Sequence, residues 1–188
     1  MKKVILLLAL VASFVVANAQ HIEFKWRGPY FVAGYSHGIV IGHSDVNTTM
    51  NGISGVFGFQ FRRQSAAGIG FNYLSDPLGN FTQLPLFVEY RCHFLNSRFT
   101  PSGNVYLGYT FPVGASETRD FMIVQGGITC GLSAGCRFAF TRKFGMSLDV
   151  GYQLLSMSLV DRFDSEGNRM ISESELFHFL KATVGFNF

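Results

Sequence analysis

Charge is what this chain has least of. Asp, Glu, Lys and Arg make up 14% of its 188 residues, against about 25% in an ordinary soluble domain. Two of the positive charges, Lys2 and Lys3, sit in an N-terminal leader, so the formal +3 falls close to neutrality once that leader is removed. A balance of that kind offers no case for a nucleic-acid partner. Cysteine is also scarce, at three residues. Cys130 and Cys136 are six positions apart on one extended run, about 20 Å at ~3.3 Å per residue, and a disulfide needs Cα atoms within ~7 Å. Cys92 lies on a run that does not neighbour theirs, so all three are expected to be free. No histidine stands at ligand spacing with them, which argues against a metal centre and leaves no cofactor to expect. Beyond the leader no stretch reaches ~18 unbroken apolar residues, so no spanning helix is expected. Low-complexity linkers are missing too, which leaves one domain over residues 20–188.

What the chain has in excess is phenylalanine and glycine, 21 of each. Its first twenty residues, MKKVILLLALVASFVVANAQ, combine two lysines, an apolar run from Val4 to Val16 and the small residues Ala17 and Ala19. This is the layout of a cleavable secretory signal peptide with its cut after Ala19. The apolar core, about thirteen residues, is short of the ~20 that a membrane anchor needs.

The last stretch, Leu176 to Phe188, shows the pattern that organises the rest. Phe188, Phe186, Val184, Ala182 and Leu180 alternate with Asn187, Gly185, Thr183, Lys181 and Phe179. Successive strand side chains point to opposite faces, so one face here is greasy and the other largely polar. Seven earlier runs alternate in the same way: Pro29–Gly42, Ile53–Arg62, Ala67–Leu74, Gln83–Phe94, Asn104–Phe111, Gly127–Phe140 and Met146–Leu154. His37 interrupts the apolar side of the first. The links between the runs alternate long and short, ending with the longest, about Ser156 to Glu175. An up-and-down meander therefore gathers all the long links at one end and all the short ones at the other, as outer-membrane barrels do.

Aromatic residues mark two levels on the apolar face. Phe59, Phe61, Phe94, Phe138, Phe140, Phe186 and Phe188 fall towards the short-turn end, and Phe71, Tyr73, Tyr109, Phe111 and Tyr152 towards the long-loop end, with aliphatics between. That is the girdle pattern of a membrane barrel. The opposite face carries Gly, Ser, Asn and Gln together with Arg62, Glu89, Arg91, Arg137, Asp149 and Lys181, expected to pair inside the lumen. The fold expected is all-β: an eight-stranded antiparallel up-and-down transmembrane β-barrel behind a signal peptide. An eight-stranded barrel has an interior just wide enough for side chains to fill, so a polar core is expected rather than an open pore.

On these features, and specifically on LPLFVEYRCHFL, GITCGLSAGCRF and the closing ATVGFNF, the chain resembles the outer membrane protein β-barrel domain family, the small OmpA/OmpX-like barrels. The resemblance implies a cell outer-membrane location, contact with outer-membrane lipid, a monomer and no enzymatic activity. It also implies that Phe188, Phe186 and Val184 form the signal read by the barrel-assembly machinery, and that no peptidoglycan-binding domain follows. The role it suggests is structural, or surface interaction through four outer loops.

Three competing chemistries are weaker. Some eight-stranded barrels are lipid A-modifying enzymes, but the deacylases among them carry a His-x-Ser pair on one strand face. Here His37 precedes Gly38 and Ile39, His178 precedes Phe179 and Leu180, and His43-Ser44 is adjacent and in a loop. The stretch from Asp161 to Glu173 is similar to a calcium loop, with Asp164, Glu166, Gly167 and Glu173 in place, yet its first ligand position holds Arg162. It is expected to be a solvated charged loop. The third alternative, a soluble periplasmic ligand-binding barrel, requires the apolar face to point inward.

Overall fold

The computed structural model describes residues 27–41, 49–62, 64–77, 82–95, 97–113, 122–161 and 173–188. The expected leader and the calcium-like positions 162–172 lie outside the described residues. Nine strands run in chain order: β1 (Gly28–Ile41), β2 (Thr49–Arg62), β3 (Ser65–Ser75), β4 (Thr82–His93), β5 (Phe99–Val113), β6 (Met122–Gln125), β7 (Gly127–Ala139), β8 (Gly145–Asp161) and β9 (Glu173–Asn187). All pairings are antiparallel between neighbours in the chain, and β9 returns to pair with β1, closing the sheet. β6 and β7 are two segments of a single stave, both paired with β8. Gln125 faces Ser158 and Thr129 faces Leu155, so one extra residue is accommodated around Gly126. A bulge of this kind bends the strand without breaking the wall. Eight staves therefore close into one barrel.

The strands outrun the expected bounds at the long-loop end. Ser156 to Asp161 and Glu173 to Glu175, read from the sequence as loop, continue the β8–β9 ladder in register out to Leu159 and Glu173. Polar residues there break the apolar alternation without breaking backbone pairing, since a strand above the apolar band needs no greasy face.

The apolar face is outside. Ile69, Val88, Val105, Leu107, Ile128 and Leu132 are all more than half exposed, while Gln83, Gln153, Asn72 and Thr110 are fully buried inside. An apolar band encircling the whole molecule is incompatible with a water-facing surface, and it excludes the soluble ligand-binding barrel. Every aromatic assigned to the two girdles points outward. His37 shares the outward face of β1 without disrupting it. Its Nδ1 lies 2.7 Å from Oδ1 of Asn51, its cross-strand partner, and the Tyr35 hydroxyl donates to the same oxygen at 2.8 Å.

The face assignment makes a direct prediction. Leu86, near the middle of β4, is outward and 46% exposed, whereas its neighbour Phe87 is inward and 7% exposed. Leu86→Arg should destabilise the barrel by about 2–4 kcal/mol by placing a charge at the bilayer midplane. Denaturant titration in liposomes measures this, and an unchanged midpoint for Leu86→Arg would show that the faces are reversed.

Candidate functional site: the lumen and the short-turn rim

A lumen of eight staves has little room, and the glycines supply it. Large inward side chains sit opposite an inward glycine on the neighbouring strand: Tyr30 opposite Gly58, Phe87 opposite Gly70 and Gly108, Tyr106 opposite Gly131, and Lys181 opposite Gly38 and Gly151. A Cβ added at Gly131 would come within 2.4 Å of the Tyr106 ring, and one at Gly70 within 2.5 Å of the Phe87 ring. Real Cβ atoms do not approach so closely, so these positions are closed to any larger residue.

Within this frame the lumen is layered. At the long-loop end Met50, Leu74, Leu155 and Phe179 form a buried apolar plug, with Val40 and Phe177 packed against it. The sequence reading missed this plug, although each of its members occupies an inward position and breaks the polar alternation there. Below it, Val32, Val56, Phe87 and Tyr106 make a second apolar cluster on the wall of the central chamber, and the Phe87 and Tyr106 rings lie 5.1 Å apart.

The polar core is centred on Arg91. Its Nε donates to Glu89 Oε1 at 2.9 Å, and its Nη1 lies 3.7 Å from Asp149 Oδ2, with all three side chains buried. Lys181 projects its Nζ over the Tyr106 ring at 4.7 Å from the centroid, a cation–π contact. With the Asn72 amide oriented so that its oxygen faces Lys181, that oxygen accepts from Nζ at 3.1 Å. Ser133 donates to Asn104 Oδ1 at 2.6 Å, and Ser36 and Thr183 share a hydrogen bond of 2.9 Å. Nearer the short turns, Arg137 Nη1 approaches His93 Nε2 at 3.4 Å. Between these groups remains a cavity of about 40 Å³, bordered by Glu89, Arg91, Tyr106, Asp149 and Lys181 among others. That is space for a few water molecules.

The structure places Glu89, Arg91, Arg137, Asp149 and Lys181 in the lumen. Arg62 is a correction. The ladder slips between Gln60, opposite Ala66, and Arg62, opposite Ser65. This bulge ends the alternation at the strand terminus, and Arg62 is exposed on the short-turn rim. His93, Tyr30, Tyr106 and Asn72 join the lumen network although none carried a charge that flagged it. Their inward parity was the available signal. All three cysteines are free and lie on the outward face.

The strand that closes the barrel is bound at its end by both backbone and rings. Phe188 N–H donates to Phe31 O at 2.9 Å and Phe31 N–H donates to Phe188 O at 3.2 Å. The Phe188 ring lies 6.3 Å from that of Phe31 and 5.2 Å from that of Phe144, and Phe144 stacks on Phe186 at 6.0 Å and on Phe140 at 5.5 Å. The seam continues through Phe138, 5.3 Å from Phe140, with the Arg98 guanidinium 4.9 Å above the Phe138 ring.

A closed antiparallel barrel with a glycine-lined polar lumen, an apolar exterior and two aromatic levels decides the class. The fold is that of a small outer-membrane barrel. No protein-family model and no curated protein matches the chain. Among solved structures it is similar to Neisserial surface protein A, with a TM-score of 0.60 at 16% identity over 85% of this chain and 96% of that one. It is also similar to the outer membrane protein AlkL, with a TM-score of 0.58 at 12% identity over 90% and 93%. The third is OprG of Pseudomonas aeruginosa, with a TM-score of 0.57 at 13% identity over 88% and 97%. At such identities the likeness is one of fold.

Because Arg91 answers two buried carboxylates, its loss should cost far more than theirs together with it. Arg91→Met is expected to destabilise the barrel by about 3–5 kcal/mol, since it strands buried charge. The triple variant Arg91→Met/Glu89→Gln/Asp149→Asn should recover most of that loss. Equilibrium unfolding in detergent checks both, and equal losses for the single and triple variants would show that the ion pairs are incidental.

Proposed function

We propose that this protein is an integral outer-membrane barrel whose lumen is a structural core and whose working surfaces are its outside and its two ends. The single observation that supports this most directly is the sealed interior. An apolar plug at the long-loop end sits above a charge-paired chamber whose free space is of the order of a few waters, which is too little for a conduction path. No nucleophile–base pair resembling a lipid-modifying centre stands on the outward face among the described residues. The nearest candidate is the Tyr152 hydroxyl paired with His178 Nδ1, which has no serine beside it in the alternation. The reading is therefore non-catalytic. The four links on the long-loop side present the surface through which a structural or recognition role would act, and complete backbone pairing around the barrel is consistent with a monomer. Phe188, Phe186 and Val184, on the closing strand, are the residues through which the assembly machinery would capture the precursor.

Two measurements test this. Purified barrel in planar bilayers should show no stable open steps, and a reproducible conductance in the wild type would overturn the sealed-lumen reading. In cells, the protein should fractionate with the outer membrane and migrate differently on gels before and after heating. The chain lacking Phe188 should refold in detergent, because a girdle-level ring contributes at most about 1.5–3 kcal/mol. In cells it should accumulate in the periplasm or be degraded. Equal surface levels of the two chains would show that the terminal residue plays no part in assembly.

A further inference from the structure

The charged side chains described at the short-turn end are all positive. In the sequence, every acid after Glu23 other than Glu89 and Asp149 falls in or beside one of the long links, from Asp45 to Glu175. At the short-turn end Arg27, Arg62, Arg98, Arg142 and Lys143 stand on the rim, and among the described residues no Asp or Glu shares that end. A rim made only for solubility would intersperse both signs. Instead the cations are gathered at the level where the aromatic girdle meets water. Arg98 is held against Phe138 and donates through Nε to Ala139 O at 3.2 Å, whereas Arg27, Arg62, Arg142 and Lys143 are exposed.

Two of these cations share a formed recess. A notch of about 70 Å³ is bounded by Arg27, Gly28, Pro29, Tyr30, Gln60, Lys143 and Phe188. Within it the chain enters β1 through Gly28 at φ 136°, a left-handed conformation that favours glycine. Arg27, at the entry to β1, and Lys143, in the turn between β7 and β8, both line the notch. Phe188, one of its lining residues, belongs through its ring to the aromatic seam with Phe31 and Phe144. Even with the α-carboxylate of Phe188 counted against them, the rim cations remain in excess.

We propose that this notch binds the phosphate headgroup of an anionic phospholipid, with the acyl chains lying down the Phe31–Phe188–Phe144 seam. The chemistry is matched at both levels: a guanidinium and an ammonium flank a headgroup-sized recess at the interface, and flat apolar rings continue beneath it into the hydrocarbon region. Outer-membrane barrels place their short turns on the periplasmic side, so the lipid would come from the inner leaflet of the outer membrane. The site stands apart from whatever the outer loops do and rests only on the barrel's spanning a bilayer.

The test uses the mature chain, refolded and reconstituted in phosphatidylcholine vesicles containing spin-labelled phosphatidylglycerol or spin-labelled phosphatidylcholine at equal concentration. The wild type is expected to hold phosphatidylglycerol in its motionally restricted shell in preference to phosphatidylcholine. Arg27→Gln/Lys143→Gln should lower that preference about thirtyfold, the loss of about 1 kcal/mol for each of two cations. Asp76→Asn, at the opposite end, should leave it unchanged. The heat-dependent gel shift verifies that each variant is folded, and raising salt on the wild type gives a reading that needs no variant, since the preference should shrink as salt rises. Equal retention of the two lipids by the wild type would overturn the proposal, as would a preference that survives the double substitution. Loss of the preference on adding millimolar inorganic phosphate would show that the notch takes a free anion and would overturn its assignment to lipid.

Discussion

Everything in this molecule answers to the volume of an eight-stave lumen. Closing eight strands fixes an interior that side chains must fill completely, and the inward positions alternate with outward ones that lipid forces to be apolar. The inward set is therefore where nearly all the described polarity of the wall resides, and it has to satisfy itself in a small space. Arg91 does most of this by reaching Glu89 and Asp149 together. Each large side chain that joins the network takes its room from a glycine directly opposite. The abundance of glycine is thus a packing device rather than a source of flexibility, and a Cβ at Gly131 or Gly70 would strike an aromatic ring before it touched anything else.

Closure imposes a second demand, because a barrel is only as good as the pairing of its first and last strands. Here β1 and β9 hold register from Val32 opposite Asn187 to Ile41 opposite His178, and the backbone exchange between Phe31 and Phe188 carries the ladder to the rim. The aromatic seam adds ring contacts across the same junction. Since the last strand completes two ladders at once, with β8 and with β1, its terminal residues are the ones whose engagement converts an open sheet into a closed wall.

The barrel was legible in the sequence because lipid enforces period-two alternation more strictly than a soluble core does. Leu86, Val88 and Tyr90 against Phe87, Glu89 and Arg91 can be sorted by parity alone, and the structure keeps that sorting along β4. Parity fails where a ladder slips. At the end of β2 the bulge beside Phe61 releases Arg62 from the alternation, and no residue type there announces the bulge. The break at Gly126 splits a stave for the same reason. Depth was also invisible: the inward residues Met50, Leu74, Leu155 and Phe179 are far apart in sequence, and only the stagger of the strands brings them to one level as a plug. The sequence carries faces well, but levels within the lumen depend on register.

The outer surfaces of the barrel differ from one another in charge as the lumen differs from its wall. The long links carry more acids than bases in the sequence, whereas the charged side chains of the described short-turn rim are all cations. The lumen groups do not create that asymmetry, since Glu89 and Asp149 stand there with Arg91, Arg137 and Lys181, away from either rim. The rim charges are instead placed where water, headgroup and aromatic belt meet, a setting in which each cation interacts with an anionic leaflet within a Debye length. Placing Arg62 on the rim keeps a further cation out of a lumen whose described residues already set Arg91, Arg137 and Lys181 against Glu89 and Asp149, and adds one where anionic headgroups can answer it. The bulge that defeats the parity rule at the end of β2 thus lets both regions settle their electrostatics.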